Sequence, residues 1–326
     1  MSVTIKEIAN ICGVSRGTVD RALNNRPNIN PETKKYIIKT AKELGYRPHF
    51  LAKSLSTGKT NTIGIIVFDV YNEYFSHLIH SSQQKSLDEN YGLNIMVSNK
   101  NKKQELMCID NLLERNVDGI IINSINNNTS YINKLKNSNK PIVSIGNRID
   151  SHIPFVGIND YQAMYDSTEY VISKGYEDVI FVCPPLQYKN KQNIYAPSER
   201  YRGYNDCILS LGLKSKVIKD KDYVEKIHHY LKNSSKKIAF LCSSDIFALN
   251  VMREVKSVYG HIPNNIGIMG FDNLSMLQYI SPILTTVSYP LTEVGNLAVT
   301  SILNQINENK KNDYILNHSI VVGETI

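Results

Sequence analysis

The first apolar positions of the chain follow the repeat of short helices. Four of them fall about one helical turn apart on a single face: Ile5, Ile8, Ala9 and Cys12. Gly13 is typical of a helix end, and Ser15 is a good N-cap for a second helix whose Val19 and Leu23 point back at the first. This pattern predicts a helix-turn-helix, in which the start of the second helix is free to enter a major groove of double-stranded DNA.

A third helix is predicted to begin at Asn30, with Pro31 at its first position and Glu32 near the positive end of its dipole. Its inner face is predicted to consist of Ile37, Ala41 and Leu44, and Gly45 is predicted to end it. Residues 1–46 therefore predict a helix-turn-helix domain of three helices. Residues 47–61 predict a hinge helix too short for a core of its own, followed by a polar linker.

From Ile63 onward, short continuous apolar runs alternate with amphipathic stretches of helix length, which is typical of parallel strands covered on both faces. The predicted strands are Ile63–Phe68, Leu93–Val97, Gly119–Ile122, Pro141–Ile145, Phe155–Ile158, Val179–Val182, Ile238–Leu241 and Ile266–Phe271. The predicted helices include Phe75–Asn90, Tyr161–Lys174, Ser198–Leu211, Asp245–Tyr259 and Leu291–Glu308. We expect an α/β body of two doubly wound subdomains, residues 62–159 plus 290–320 and residues 160–289 plus 321–326.

Polar and aromatic residues follow the predicted strands, where the ligands of such sheets bind. The strand-end residues are Asp69, Tyr71, Asn72, Tyr74, Phe75, Asn147, Arg148, Asn159, Asp160, Ser244, Asp245, Asp272 and Asn273. Carboxylates and amides hydrogen-bond hydroxyls, and aromatic faces cover C–H surfaces, so the set suits a sugar or a similar polyol. Helix capping is the alternative role for Asp160, Asp245 and the Tyr71-Asn72 pair.

The net charge of +7 is confined to one end of the chain. Residues 1–60 carry eleven Lys and Arg against four acids, so the other residues sum to zero. Such a basic segment is typical of a module that neutralises DNA phosphates, although a solvated basic face would have the same charge.

Composition excludes several other classes of protein. The chain has no apolar run of membrane-spanning length, and its first residues lack the features of a secretory signal, so we expect a cytoplasmic protein. Its five cysteines are scattered singly, which favours reduced thiols. No P-loop, GxSxG or HExxH motif and no histidine constellation is present, so we expect no enzyme, no cofactor and no metal.

The chain resembles the LacI/GalR family of bacterial regulators. The most specific matches are residues 4–9 (TIKEIA), 13–24 (GVSRGTVDRALN), 31–33 (PET) and 44–48 (LGYRP). Weaker matches follow at residues 118–121 (DGII), 199–204 (ERYRGY), 270–272 (GFD) and 284–287 (LTTV). The resemblance implies a periplasmic-binding-protein-like body whose small-molecule effector controls a DNA-binding repressor.

The resemblance also implies which residues contact DNA. Arg16 and Gly17 match base-reading positions, and Leu55 matches a leucine wedged into the minor groove. The full DNA-binding set is Thr4, Ser15, Arg16, Gly17, Thr18, Arg21, Asn24, Ala52, Lys53 and Leu55. Two copies are needed for a near-palindromic operator, so a homodimer is implied.

In the body, Arg200 matches the family's effector-binding arginine and Asp272 the acid after its Gly-Phe pair. The implied effector set is Tyr71, Tyr74, Phe75, Asn147, Arg148, Arg200, Ser244, Asp245 and Asp272. Residues 72–75 depart from the family's Asn-Pro-Phe-Phe because Glu73 replaces the proline. Asp20 replaces a commoner serine in the recognition helix, where it would contact a base amine or orient Arg16.

Two functional questions stay open at the level of sequence. The effector acts as an inducer or a corepressor, depending on which state of the body it binds better, and we favour a sugar or sugar phosphate that releases DNA. The alternative function is a free solute-binding protein with no DNA role. That alternative would need a secretory signal and no basic module.

Overall fold

A computed structural model describes residues 3–46, 58–183, 194–219, 223–233, 236–308 and 310–326. Contacts divide the chain into two compact units, Met1–Thr60 and Asn61–Ile326. The predicted hinge residues Ala52, Lys53 and Leu55 lie outside the described residues. No helix in the described part of the chain has the length and apolar character of a membrane span.

The N-terminal unit contains α1 (Ile5–Cys12), α2 (Arg16–Leu23) and α3 (Pro31–Glu43), which confirms the predicted helix-turn-helix domain. Thr4 and Glu7 form a capping box at the start of α1, in which each side chain accepts a hydrogen bond from the other's backbone N–H. Gly13 then adopts a left-handed conformation with φ of 66°, which ends α1 and turns the chain into α2.

The core of this unit is small and made from one face of each helix. Its buried residues are Ile8, Ala9, Val19, Ala22, Ile37 and Ala41. The prediction that Leu44 belongs to this inner face was wrong, because α3 ends at Glu43 and Leu44 is a C-cap residue with 36% of its surface exposed. Thr40 is buried instead, one turn earlier.

The body contains two six-stranded sheets. The first is formed by β1 (Thr62–Val67), β2 (Gly92–Val97), β3 (Gly119–Ile122), β4 (Ile142–Ile145), β5 (Phe155–Ile158) and β11 (Tyr314–Leu316). The second is formed by β6 (Asp178–Val182), β7 (Lys216–Ile218), β8 (Ile238–Cys242), β9 (Ile266–Phe271), β10 (Thr285–Ser288) and β12 (Ser319–Val321). The strand orders are β11-β5-β4-β3-β1-β2 and β12-β10-β9-β8-β6-β7, and among the described strands only β12 pairs antiparallel.

Helices connect most of these strands. They are α4 (Glu73–Asp88), α5 (Lys102–Glu114), α6 (Thr129–Asn137), α7 (Asp160–Ser173), α8 (Tyr195–Ser210), α9 (Tyr223–Asn233), α10 (Asp245–Tyr259) and α11 (Leu291–Glu308). A 3₁₀ helix, Ser275–Tyr279, follows β9. Buried strands carry continuous runs without polar side chains, as in β3, β8 and β9, so the expected doubly wound α/β body is confirmed.

The chain passes between the two sheets three times. It leaves the first sheet after β5 and returns with α11, which packs on α4 and on β3, β4 and β5. It then adds β11 to the first sheet and β12 to the second. β12 begins at Ser319, so the predicted first subdomain, which ends at residue 320, extends two residues into a strand of the second sheet.

Candidate functional site

A cavity of about 400 Å³ lies between the two subdomains of the body. Most of its lining residues follow β1 to β5 of the first sheet and β8 to β10 of the second, and the others lie within β5, at the start of α8 and in α11. These are the carboxyl ends of the parallel strands, where ligand sites of doubly wound sheets are expected. Polar side chains therefore reach a common space from chain segments that are far apart in sequence.

Arg200, on α8, is the central charge of the cavity. Its Nε donates to Asp160 Oδ1 at 2.7 Å and its Nη1 to the Ser243 carbonyl at 2.6 Å. The same Nη1 lies 3.7 Å from Asp272 Oδ1, and the guanidinium lies 3.5 Å from the ring centre of Phe271. A buried cation is thus held by two carboxylates, a carbonyl and an aromatic face, which fixes its direction.

Burial changes the titration of this cluster. Burial raises the pKa of Asp272 to about 6, although Arg200 and the Tyr289 hydroxyl counteract it. The Tyr289 hydroxyl donates to Asp272 Oδ1 at 3.1 Å. Burial also raises the pKa of Asp160, and Arg200 again opposes the shift. The guanidinium therefore favours the charged form of both carboxyls, against the effect of burial.

The first subdomain contributes an aromatic wall and a second ion pair. The Phe75 ring packs edge-on against Phe68 and Tyr74, with ring centres 4.8 and 4.9 Å apart. The Lys100 ammonium lies 3.1 Å from Asp69 Oδ2 and 5.6 Å from the centre of the Phe68 ring. The wall offers flat apolar surface beside a paired charge, which suits a ligand with both C–H and polar faces.

Asn123, directly after β3, brings an unsatisfied acceptor to the cavity. Only 3% of its surface is exposed, and within the described residues its Oδ1 has no hydrogen-bond partner. A buried acceptor left unpaired costs on the order of 1–3 kcal/mol. A ligand that donates a hydrogen bond here would remove that cost.

Two hydrogen bonds join the subdomains beside the cavity. Asn147 Oδ1, after β4, accepts the N–H of Ala196 at the start of α8 at 3.2 Å. Glu73 Oε1, on α4, accepts the N–H of Ser275 at 3.0 Å. Asn147 also donates its Nδ2 to the Ser124 carbonyl at 3.2 Å, so its amide is engaged on both sides.

The structure brings most of the predicted effector residues together. Those that line the cavity are Tyr74, Phe75, Asn147, Arg200, Ser244 and Asp272. Three others do not line it. Tyr71 is 96% exposed, and Arg148 pairs with Asp313 at 2.8 Å, with its guanidinium 4.7 Å from the centre of the Phe155 ring. The carboxyl of Asp245 is fully buried.

Asp245 is buried beneath the cavity, where it ties three segments together. It accepts the Thr286 hydroxyl at 2.6 Å and the Leu274 N–H at 2.9 Å. Gly270 leaves room for this carboxyl, since a Cβ there would lie 2.2 Å from Asp245 Oδ1. Burial and the nearby Asp272 raise the pKa of Asp245 to about 7. Asp245 therefore supports the turn that carries Asp272 rather than facing a ligand.

Sequence reasoning left several lining residues out of the predicted set. They include Asp69, Lys100, Asn123, Asp160, Phe247 and Tyr289. Asp69 and Asp160 were recognised as strand-end polar residues, so the signal for them existed. Asn123 also follows a strand directly, and the same rule would have found it. Phe247 and Tyr289 carry no such signal, because their places depend on α10 and on the segment after β10.

In the N-terminal unit, α2 presents the predicted base-reading residues to solvent. Arg16, Gly17 and Arg21 are exposed, while Ser15 caps the helix by accepting the Thr18 N–H at 3.1 Å. Thr4 is exposed and is held in the capping box of α1. The exposed side of α2 thus combines two arginines with a glycine that allows close approach of another surface.

The carboxylate of Asp20 is engaged by two side chains near the end of α2. Its Oδ1 accepts the side-chain N–H of Asn24 at 2.7 Å, and its Oδ2 pairs with Arg26 at 3.1 Å. Asp20 therefore joins the end of α2 to the loop that follows it. The Asn24 amide, predicted to contact DNA, is engaged by the same carboxylate.

A helix-turn-helix domain joined to a two-subdomain body with a polar cleft defines the class of ligand-responsive transcription regulators. The family model for bacterial regulatory proteins of the lacI family matches residues 4–49. The model for periplasmic binding proteins and the sugar-binding domain of the LacI family matches residues 60–320. The chain belongs to the LacI family.

Similar proteins agree with this assignment. Catabolite control protein A of Priestia megaterium is 30% identical over 317 residues, covering 94% of each chain. The regulator RegA of Clostridium saccharobutylicum is 29% identical over 335 residues, covering 100% of this chain and 99% of the other. The lac repressor dimer bound to operator and the anti-inducer ONPF shares the fold, with a TM-score of 0.88 at 18% identity, covering 100% of this chain and 99% of that one.

The chain is therefore a DNA-binding transcriptional regulator with a ligand-binding domain, as the sequence predicted. The alternative of a solute-binding protein without a DNA role is not supported, because the family's DNA-binding domain is present at residues 4–49.

Proposed function

We propose that this regulator is a repressor whose affinity for operator DNA is lowered by a neutral, polyhydroxyl ligand of the sugar class. The observation that carries the proposal is the pairing of charge inside the cavity. Both cations of the described lining already have carboxylate partners: Arg200 lies beside Asp160 and Asp272, and Lys100 beside Asp69.

This pairing discriminates between kinds of ligand. A phosphate or carboxylate group would have to displace one of the three lining carboxylates from its cation before it gained an ion pair. A hydroxyl group can accept from Arg200 and donate to a carboxylate at the same time, so it fits without breaking the cluster. The sequence favours a sugar or a sugar phosphate. Because the lining charges are already paired, we favour the neutral sugar over the sugar phosphate.

The other lining groups support a polyhydroxyl ligand. Asn123 Oδ1 has no hydrogen-bond partner within the described part of the chain, so it is free to accept a hydrogen bond from a ligand hydroxyl. The rings of Phe68, Tyr74 and Phe75 offer surface for the C–H face of a sugar. The family model that matches the body is described as a sugar-binding domain, in agreement with this chemistry.

The DNA-binding part of the proposal rests on the N-terminal unit and its charge. Residues 1–60 carry the whole net charge of +7, and α2 exposes Arg16, Gly17 and Arg21 for the major groove. Two copies in a cytoplasmic homodimer would read a near-palindromic operator, with Leu55 wedged into the minor groove from a hinge helix that includes Ala52 and Lys53. The proposal involves no catalytic step, metal or cofactor.

Two linked experiments test this function. The full-length protein is used to select bound sequences from a random DNA library, and the selected duplex is then followed by fluorescence anisotropy. Matched pairs of sugars are titrated into the complex: ribose and ribose 5-phosphate, glucose and glucose 6-phosphate, cellobiose and its 6-phosphate. We expect a neutral member to release the DNA at a concentration at least tenfold lower than its phosphorylated partner.

Each outcome has a separate meaning. Absence of an enriched sequence would contradict the operator-binding role. Tighter DNA binding on addition of a neutral sugar would identify a corepressor instead of an inducer. Release by a phosphorylated sugar at the lower concentration would contradict the assignment of a neutral ligand.

A further inference from the structure

Glu73 makes a contact between the subdomains that a proline at its position could not make. It lies in the first turn of α4, whose Phe75 and Leu78 belong to the core of the first subdomain. Its Oε1 accepts the N–H of Ser275, the first residue of the 3₁₀ helix of the second subdomain, at 3.0 Å. The family pattern that the chain resembles has proline here, and proline has no side-chain acceptor.

The carboxylate of Glu73 is held in place on its own helix. His77 Nε2, one turn later, lies 3.0 Å from the same Oε1. Burial alone would raise the pKa of Glu73, but the bonds from Ser275 and His77 lower it below its usual value. The acceptor is therefore charged at neutral pH, and hydrogen bonds to charged acceptors are stronger than those between neutral groups.

The turn that carries Ser275 also carries a residue of the cavity. Asp272 faces Arg200, and the Leu274 N–H is held by the buried carboxylate of Asp245 at 2.9 Å. Asp272 has a φ of 110°, which is rare for a residue other than glycine and indicates that its surroundings hold it there, whereas the φ of 52° at Asn273 is common for asparagine in turns. Asp272 and Ser275 belong to the same constrained turn. A shift of Asp272 toward a ligand would therefore also move Ser275, whose N–H donates to Glu73.

We propose that Glu73 is a latch that holds the two subdomains closed over the cavity, and that residues 272–275 couple this latch to the ligand. The latch and the Asn147–Ala196 bond are separate contacts between the same two bodies. If the subdomains separate at one of these hydrogen bonds, the N–H group of the other bond is therefore also exposed to solvent. The proposal rests on the proposed function only where it invokes a ligand, because the latch itself acts in the free protein.

Hydrogen exchange of the full-length protein without ligand tests the latch. We compare wild type with Glu73→Ala and Glu73→Gln at two amides, Ser275 and Ala196. We expect Glu73→Ala to speed exchange at Ser275 by about tenfold and at Ala196 by about threefold, because closure is weakened as a whole. Glu73→Gln keeps an oxygen acceptor without its charge and should fall between wild type and Glu73→Ala.

Glu89→Ala is the matched control, since Glu89 follows the end of the same helix and pairs with Lys85 at 2.6 Å. It should leave both amides unchanged. Faster exchange at Ser275 with no change at Ala196 would mean a local bond and would overturn the latch. Equal changes in Glu89→Ala and Glu73→Ala would overturn it as well. Sugar titrations play no part in this result, so failure of the proposed function would leave it intact.

Discussion

The N-terminal unit and the body use charge in opposite ways. The unit of residues 1–60 carries the whole surplus of +7 and exposes arginines on α2. The body is neutral in sum and turns its most important charges inward, where Arg200 is shared by Asp160 and Asp272. An outward surplus attracts a polyanion at long range, whereas an inward, balanced cluster recognises a ligand by geometry. The two units are therefore specialised for different partners.

The largest effect on the contrast between the two units is expected at Arg200, the central cation of the body. Arg200→Ala leaves two buried carboxylates without their cation, and we expect the body to lose about 3–5 kcal/mol of unfolding free energy. Urea unfolding followed by hydrogen exchange would show the loss in residues 61–326 and little change in residues 3–46. Arg202→Ala is the control, because Arg202 lies on the same helix but is 56% exposed. If both variants lost the same stability, the inward cluster would have no special role.

The N-terminal unit should respond most strongly at Arg16. Arg16→Ala removes the side chain that we propose reads a base, and we expect the affinity for the selected operator to fall by about 1–3 kcal/mol. Fluorescence anisotropy on operator and on unrelated DNA measures the difference, and unrelated DNA should lose much less. Lys39→Ala, which removes an exposed cation that pairs with Glu43 on α3, should affect both DNAs alike. Equal losses for Arg16→Ala on the two DNAs would mean that Arg16 contributes charge only.

One carboxyl in each unit should change stability with pH in the opposite direction from the other. The pKa of Asp245 is raised to about 7, so its stabilising contribution is complete below its ordinary pKa and is lost as pH rises through about 7. The pKa of Glu7 is lowered by the Thr4 backbone and hydroxyl, so its contribution is present above its ordinary pKa and is lost as pH falls. Hydrogen exchange from pH 4 to 7, corrected for intrinsic rates, reads each unit separately. Asp245→Asn should reduce the dependence of the body's exchange rates on pH and leave that of residues 3–46 unchanged.

The smallest effect is expected at the cap of α1. Thr4→Ala removes the hydroxyl side of the capping box, and we expect a loss of about 1 kcal/mol confined to the N-terminal unit. Thr4→Ser keeps the hydroxyl and should retain most of this stability. Exchange rates in residues 5–12 check both variants. A loss that spread to the body would show that the two units share stability and are not independent.

The contrast between the units also explains how much the sequence could predict. The helix-turn-helix was predicted because its caps, its turn and its core lie within a few dozen neighbouring residues. In the body, β1 to β6, β8 and β9 were recognised from continuous apolar runs. β7, β11 and β12 were missed because they are only three residues long, and β10 because Thr-Thr-Val-Ser has no such run.

For the candidate site, the strand-end rule located the cleft but not the direction of each side chain. Asp245 and Ser244 are neighbours, yet of the two only Ser244 lines the cavity. The carboxyl of Asp245 is buried instead, because Gly270 leaves room for it and the Thr286 hydroxyl donates to it. Arg148 forms an ion pair with Asp313, which lies in a distant part of the chain, and does not line the cavity. Such partners depend on the tertiary fold, so the sequence alone could not assign these side chains.

β11 and β12 have a consequence for how the protein is made. Each forms an edge strand, one in the first sheet and one in the second, and together they occupy residues 314–321. During translation neither sheet can therefore be completed until these residues have left the ribosome. The helices of residues 5–43 emerge much earlier and form their core from local contacts alone. The nascent chain thus acquires its DNA-reading domain before it acquires the means of controlling it.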